Sequence, residues 1–329
     1  MSDLAALIQS YFTRRLLLEQ GAGPNTVACY RDTIRLLVSY VHQQTGKHPS
    51  RQSLADLDAG TISAFLSYLE TSRGNSITTR NTRLAVIHAV FRYAALCRVD
   101  QAELIQRVLA VPFKLHDRTD LCYLPAEEIT ALLAAPDRGT WHGRRDHALL
   151  AVGCQTGLRV SELTGLTIGE AHLGAGPHVR CHGKGRKNRA VPLTGHTVQT
   201  LKTWLAERAG QQTGPVFCTR PGSMLSRDAV ERLVARHAKT AAGTCPSMSS
   251  KHVTPHTLRH SAAMALLSAG TDISVIALWL GHESLESTMR YIHADMALKQ
   301  QALERTAAPG TSPGLYQPPD SLLAFLDAL

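Results

Sequence analysis

The chain has 329 residues, a length that predicts two domains rather than one, and with 44% apolar residues it can bury real cores and is too apolar for a disordered chain. Its 35 Lys and Arg against 26 Asp and Glu give a net charge of +9, which fits a polyanionic partner or plain solubility. The seven cysteines are scattered, odd in number and never in a C-x-x-C pair, which argues against a disulfide framework or zinc site and for reduced thiols in a cytoplasmic protein. The amino-terminal residues lack a signal-peptide pattern, and no apolar run reaches the roughly 18 residues needed to span a membrane.

Residues 1–112 read as a bundle of four or five helices. Leu4, Leu7, Ile8 and Tyr11 open an amphipathic pattern that Gly21 to Asn25 breaks. Further helices are predicted over 26–42, 53–69, 77–96 and 101–109. Arg73 precedes the helix over 77–96, and Arg80 and Arg83 share one of its faces; a solvated polar face and a phosphate-contacting face are both compatible with that pattern. Residues 113–123 are polar, lack periodicity and read as a linker.

Residues 124–306 read as a second domain. A helix starts at Pro125 with acidic residues in its first turn, and a buried helix opens over 143–153 and ends at Thr156-Gly157. Arg159 follows at a turn, and Val160 to Leu166 begins the next element. From Pro177 to Leu193 the period changes to that of a β-hairpin, with Lys184, Arg186, Lys187 and Arg189 in or beside its turn: a solvated tip, or a finger laid against DNA. Val198 to Arg208 reads as a helix, Pro215 to Cys218 as a short buried strand, and Ser226 to Ala241 as a helix whose Arg232, Arg236 and His237 suit either solvent or a DNA groove. The Gly-, Ser- and Thr-rich stretch 242–251 reads as a mobile loop.

The stretch 254–291 is the one around which the rest is organised. Thr254 suits a helix cap and Pro255 a first turn, and His256 and Arg259, three apart, share a helix face. Gly270 and Gly281 are natural stops for two successive helices, which leaves His282 just past a helix end, with Tyr291 nine residues on. Arg and protonated His suit phosphate oxygens, and Tyr is a covalent nucleophile, so the set points to phosphoryl chemistry without a metal. The chain has no phosphate-binding G-x-x-x-x-G-K-[ST] loop and no carboxylate cluster for magnesium. Residues 307–329 read as a Pro- and Gly-rich connector and a short apolar helix that must dock on its own chain or on a neighbour to be stable.

Thr156-Gly-Leu-Arg-Val-Ser-Glu-Leu163, His256-Thr-Leu-Arg-His260, Leu280-Gly-His282 and Tyr291 resemble, in order and spacing, the signature of the tyrosine recombinases, the phage-integrase family, over residues 124–305. The resemblance implies a mainly α protein with a small β-sheet, in which an N-terminal SAM-like core-binding bundle and an α+β catalytic domain form a C-shaped DNA clamp. It implies a site-specific recombinase that cleaves and rejoins DNA through a 3′-phosphotyrosyl link to Tyr291, with no metal, ATP or other cofactor. Arg159 and Arg259 would bracket the phosphate, supported by Glu162. His256 and His282 would handle protons and bind phosphate. Lys184, between two glycines, would protonate the departing 5′-oxygen, with Lys187 the fallback. Arg73, Arg80, Arg83, Arg186, Lys187 and Arg189 would contact DNA.

The implied partners are double-stranded DNA with inverted-repeat sites and three further protomers, identical or related, with the C-terminal helix passed between them. Movement of a mobile element is favoured over resolution of chromosome or plasmid dimers. A catalytically silent DNA-binding protein of this fold and a type IB topoisomerase are the alternatives. His260 reads as structural, His293 is open, and Tyr316 lacks the context of a nucleophile.

Overall fold

Apolar residues three and four apart organise the first half of the chain into helices α1 (Asp3–Ser10), α2 (Pro24–Thr45), α3 (Ala59–Thr71), α4 (Ile77–Cys97) and α5 (Ala102–Leu109). The computed structural model describes residues 3–115, 121–182, 188–208, 213–282 and 288–289, and it separates into two units, residues 1–119 and 120–329. In the first unit α1 continues as a π-helical stretch over Tyr11–Glu19, closed where the Gln20 amide donates to the Arg15 carbonyl at 3.0 Å. Pro24 starts α2 and Gly46, at φ +70°, stops it.

The single helix predicted over 53–69 is two elements. Leu54–Leu57 form a 3₁₀ turn, and Asp58 leaves helical geometry so that its side chain can cap α3 by accepting from the Thr61 amide. Leu37, Val41, Ile62, Phe65, Leu84, Ile87 and Phe91 meet in one core.

The second unit contains α6 (Ala126–Ala134), α7 (Trp141–Thr156), α8 (Val160–Gly165), β1 (Ala171–His172), β2 (His178–His182), β3 (Asn188–Pro192), α9 (Gly195–Ala206), α10 (Arg227–Ala242), α11 (Pro255–Ser268) and α12 (Ile273–Leu280). The predicted hairpin is β2–β3, and β1 adds a third antiparallel strand in the order β1-β2-β3. Val179, Cys181 and Val191 point to the core by the two-residue period of a strand. The stretch 215–218 forms no ladder; Pro215 and Cys218 make isolated bridges to Thr167 and Met224. Helix α7 is packed by α6, α9 and α11 and is buried along most of its length. It is therefore the fixed post from which the site hangs.

Two polar clusters pin this unit from inside. Asp146, wholly buried on α7, accepts from Arg145 Nε and Nη2 at 2.9 and 2.7 Å, from Arg236 Nη2 at 2.7 Å and from His237 Nε2 at 2.9 Å. Burial alone would raise the Asp146 carboxyl, but the His237 hydrogen bond and the Arg145 guanidinium outweigh it and hold the group below its ordinary value. His237 thus faces inward from α10, while Arg236 stays exposed and reaches Asp146 only with its tip.

The stretch 242–251 departs from its expected mobility. It contains a 3₁₀ turn, Pro246–Ser250, with Met248 in the core, and Glu128 fastens it by accepting from Ser247 Oγ at 2.6 Å and Lys251 Nζ at 2.7 Å. A buried carboxylate on α6 needs those donors, and the loop supplies them. Among the described residues no helix is long and apolar enough to cross a membrane.

Candidate active site

Two breaks in helix geometry face each other. Helix α7 stops at Gly157 (φ +64°) and α12 stops at Gly281 (φ +65°), both left-handed. A side chain at 157 would strike Leu280, since a Cβ there would lie 2.7 Å from Leu280 Cδ2 and 3.1 Å from Ala262 Cβ. Glycine at 157 is what allows the α7–α8 turn to meet the end of α12. Trp279 adds a further tie, its Nε1 donating to the Thr156 carbonyl at 3.1 Å.

Arg159 stands in extended geometry at the head of α8, where its amide donates to Glu162 Oε2 at 2.8 Å. Its guanidinium donates through Nη1 to Glu162 Oε1 at 3.1 Å and through Nη2 to the Gly281 carbonyl at 2.8 Å. Arg259 comes from the first turns of α11, begun by the Thr254 cap and Pro255. It is 2% exposed and donates to the Gly157 carbonyl and to the Leu280 carbonyl, each at 2.7 Å. The two guanidinium groups therefore hold carbonyls of consecutive residues, Leu280 and Gly281. His282 follows at once, its Nδ1 2.7 Å from Thr288 Oγ1. His256 is exposed in the first turn of α11, where the positive end of the helix dipole favours an anion, and its ring meets that of His260 edge to face at 4.2 Å.

Glu162 is the electrostatic centre of this arrangement. Besides Arg159 it accepts from Arg189, Nη1 to Oε1 and Nη2 to Oε2, both at 2.9 Å. Burial would raise the Glu162 carboxyl, but the Arg189 hydrogen bonds, the Arg159 amide and the two positive charges overcome it and hold the group below its ordinary value. Arg189 also donates through Nε to the Trp279 carbonyl at 2.9 Å, and its guanidinium fills the space in which a Gly281 side chain would stand.

Of the residues expected to contact DNA, some turn their side chains inward. Arg189 is held by Glu162 and Trp279 with its side chain 12% exposed. It sits opposite Cys181 on the core face of β3, two residues from buried Val191, because strand side chains alternate. Arg80 is buried and donates to the Pro112 carbonyl at 3.0 Å and to Asn81 Oδ1 at 2.9 Å, so it braces its own unit. Arg83 is half-buried against Thr33. Arg73 is exposed. The structure thus brings Arg159, Arg259 and the backbone leading to His282 together, with His256 on the same helix as Arg259. Lys184, Arg186, Lys187 and Tyr291 lie outside the described residues. Arg189 is the partner of Glu162 that the motif reading passed over.

The profile described as the phage integrase family matches residues 123–297, and that of the phage integrase N-terminal SAM-like domain matches residues 9–96. This chain belongs to the phage integrase family. The protein named "Putative integrase/recombinase y4rC" in Sinorhizobium fredii is 45% identical over 328 residues, spanning 100% of this chain and 99% of that one. This family member is also 31% identical to the tyrosine recombinase XerC of Pelobacter propionicus, over 92% of this chain and 95% of the other. Its fold resembles that of the Tn1549 transposon integrase solved with circular intermediate DNA, at a TM-score of 0.70 and 17% identity over 92% of this chain and 98% of that one. It also resembles XerH bound to its difH substrate, at a TM-score of 0.64 and 24% identity over 86% and 80%. A mainly helical protein with a SAM-like N-terminal domain, a catalytic domain and one small sheet is the architecture of this family.

Proposed function

We propose that the chain is a site-specific DNA recombinase in which Tyr291 attacks a phosphodiester to form a 3′-phosphotyrosyl link and release a 5′-hydroxyl. The observation that carries the reading is the grip of Arg159 and Arg259 on the adjacent carbonyls of Leu280 and Gly281, beside His282. Two forked cations at one point suit the non-bridging oxygens of a single phosphate, and stabilising charge that develops there is typically worth several kcal/mol. In this reading the phosphate displaces backbone carbonyls as the partner of the guanidinium forks. Tyrosine has an ordinary pKa near 10, so its proton must be taken by a neighbour, a role we assign to His256 and His282. Lys184 then gives a proton to the departing 5′-oxygen. Rejoining runs the steps backward with another 5′-hydroxyl, and the phosphotyrosyl bond keeps the energy, so neither ATP nor a metal is consumed.

The partner is double-stranded DNA with inverted repeats, engaged by four protomers, with residues 307–329 passing from one protomer to the next. Residues 1–112 and 124–306 each contact the duplex, and 113–123 joins them. Arg73, Arg186 and Lys187 contact the backbone. Of the two roles open to such an enzyme, we favour movement of a mobile element over resolution of chromosome or plasmid dimers. A nicked suicide duplex built from inverted repeats flanking the gene tests the reading. Wild-type protein should give a denaturant-resistant DNA adduct, unaffected by a chelator, that disappears in Tyr291→Phe. No adduct, or one that survives the substitution, would refute it.

A further inference from the structure

A carboxylate next to a phosphate-binding arginine poses an electrostatic problem. Glu162 lies against Arg159 at 3.1 Å, so the pair taken alone is neutral and would attract a phosphate weakly. The side chain of Glu162 is only 3% exposed, so water does little to screen it. Both its oxygens are saturated: Oε1 accepts from Arg159 Nη1 and Arg189 Nη1, Oε2 from the Arg159 amide and Arg189 Nη2. Two cations share one anion, which leaves a net positive charge whose exposed member is Arg159, at 34% against 12% for Arg189. Arg189 serves a second end as well. Its Nε bond to the Trp279 carbonyl fastens β3 to the last turn of α12, the turn that carries Leu280, Gly281 and His282.

We propose that Arg189 is a positioning residue of the recombination site. It neutralises Glu162, so that Glu162 can orient Arg159 without cancelling the charge Arg159 offers to the phosphate, and it locks the hairpin strand to the α12 terminus. This inference rests on the recombinase reading above. Arg189 does not touch DNA in it; it acts through Glu162 and Trp279. A bidentate fork is required, because a lysine could hold one carboxylate oxygen but not both oxygens and a carbonyl together.

The test is single-turnover cleavage of pre-bound suicide DNA by the full-length protein, with DNA affinity measured alongside. Arg189→Met should slow cleavage about 100-fold while affinity stays within about 3-fold, the size expected when one donor of a charge-stabilising site is lost. Adding Glu162→Gln to Arg189→Met removes the uncancelled anion and should recover at least about 10-fold of the rate, a non-additivity that mere loss of packing does not produce. If Arg189→Met fails to fold, Arg189→Lys carries the test. It keeps the charge, loses the fork, and should cut the rate about 10-fold at unchanged affinity.

Additive effects of the two substitutions, or a full rate from the saturated complex with weakened binding, would overturn the proposal and return Arg189 to the DNA-contacting residues. A wild-type rate for Arg189→Lys, or weakened affinity in it, would do the same. Absence of any Tyr291-dependent adduct with wild-type protein is a separate result, which fells the recombinase reading and this inference with it.

Discussion

Gly157 shows how one backbone angle positions a site. Its φ of +64° and the 2.7 Å approach of Leu280 to the missing Cβ make alanine doubly unfavourable. Gly157→Ala should destabilise the catalytic unit by about 1–3 kcal/mol in chemical denaturation, with cleavage falling further than the stability loss explains, because Leu280 and Gly281 move with the Arg259 and Arg159 forks. A neutral effect on both would show that the turn is not held this tightly. Glu162 gives a prediction in pH. Its carboxyl is depressed from an ordinary 4.5, so the stability it contributes is full above that value and is lost as pH falls through the lower native one. The stability gap between wild type and Glu162→Gln, followed by urea titrations, should be constant above about pH 5 and shrink as the solution is made more acidic; a gap that does not change with pH would contradict this.

At this scale the sequence is informative but incomplete. Arg159 and Arg259 were legible from motif and helix spacing. The inward turn of Arg189 was also written there, in the alternation with Val191 and Leu193, but a basic turn beside it suggested a surface. The interior position of Arg80 was not legible, because its acceptor, the Pro112 carbonyl, lies 32 residues away.

Among elements, local rules reach as far as local partners do. Helices α2 and α4 follow from apolar spacing and from caps such as Ser76, which accepts from the Thr79 amide. The split before α3 follows from Asp58, a cap residue inside what otherwise reads as one apolar helix. The stretch 242–251 could not be read locally, because the group that orders it, Glu128, is 119 residues from Ser247. Lys251→Met would leave the Glu128 carboxylate, 4% exposed, without its cation. That should cost about 1–3 kcal/mol, less than for a fully buried pair because Lys251 is partly open to water. It should also expose 242–251 to limited proteolysis, which the wild-type loop should resist. Equal cleavage of both proteins within that stretch would show that the Glu128 anchor does not order it.

For the molecule as a whole, the two units and the match of both family profiles place a helical N-terminal domain and a catalytic domain on one chain. The catalytic domain spends buried charge freely: Asp146, Glu128 and Glu162 each sit at a junction between elements distant in sequence, each held by cations. Buried ion clusters of this kind are weak sources of net stability but penalise misplacement strongly, which suits a domain whose two guanidinium groups hold adjacent carbonyls. In the proposed reaction the two groups meet the phosphate attacked by the phenol of residue 291. Digesting the covalent protein–DNA adduct and identifying the DNA-linked peptide by mass spectrometry tests it most directly. A phosphotyrosine at residue 291 and nowhere else is expected; a link at Tyr316 or at any other residue would contradict the proposed chemistry.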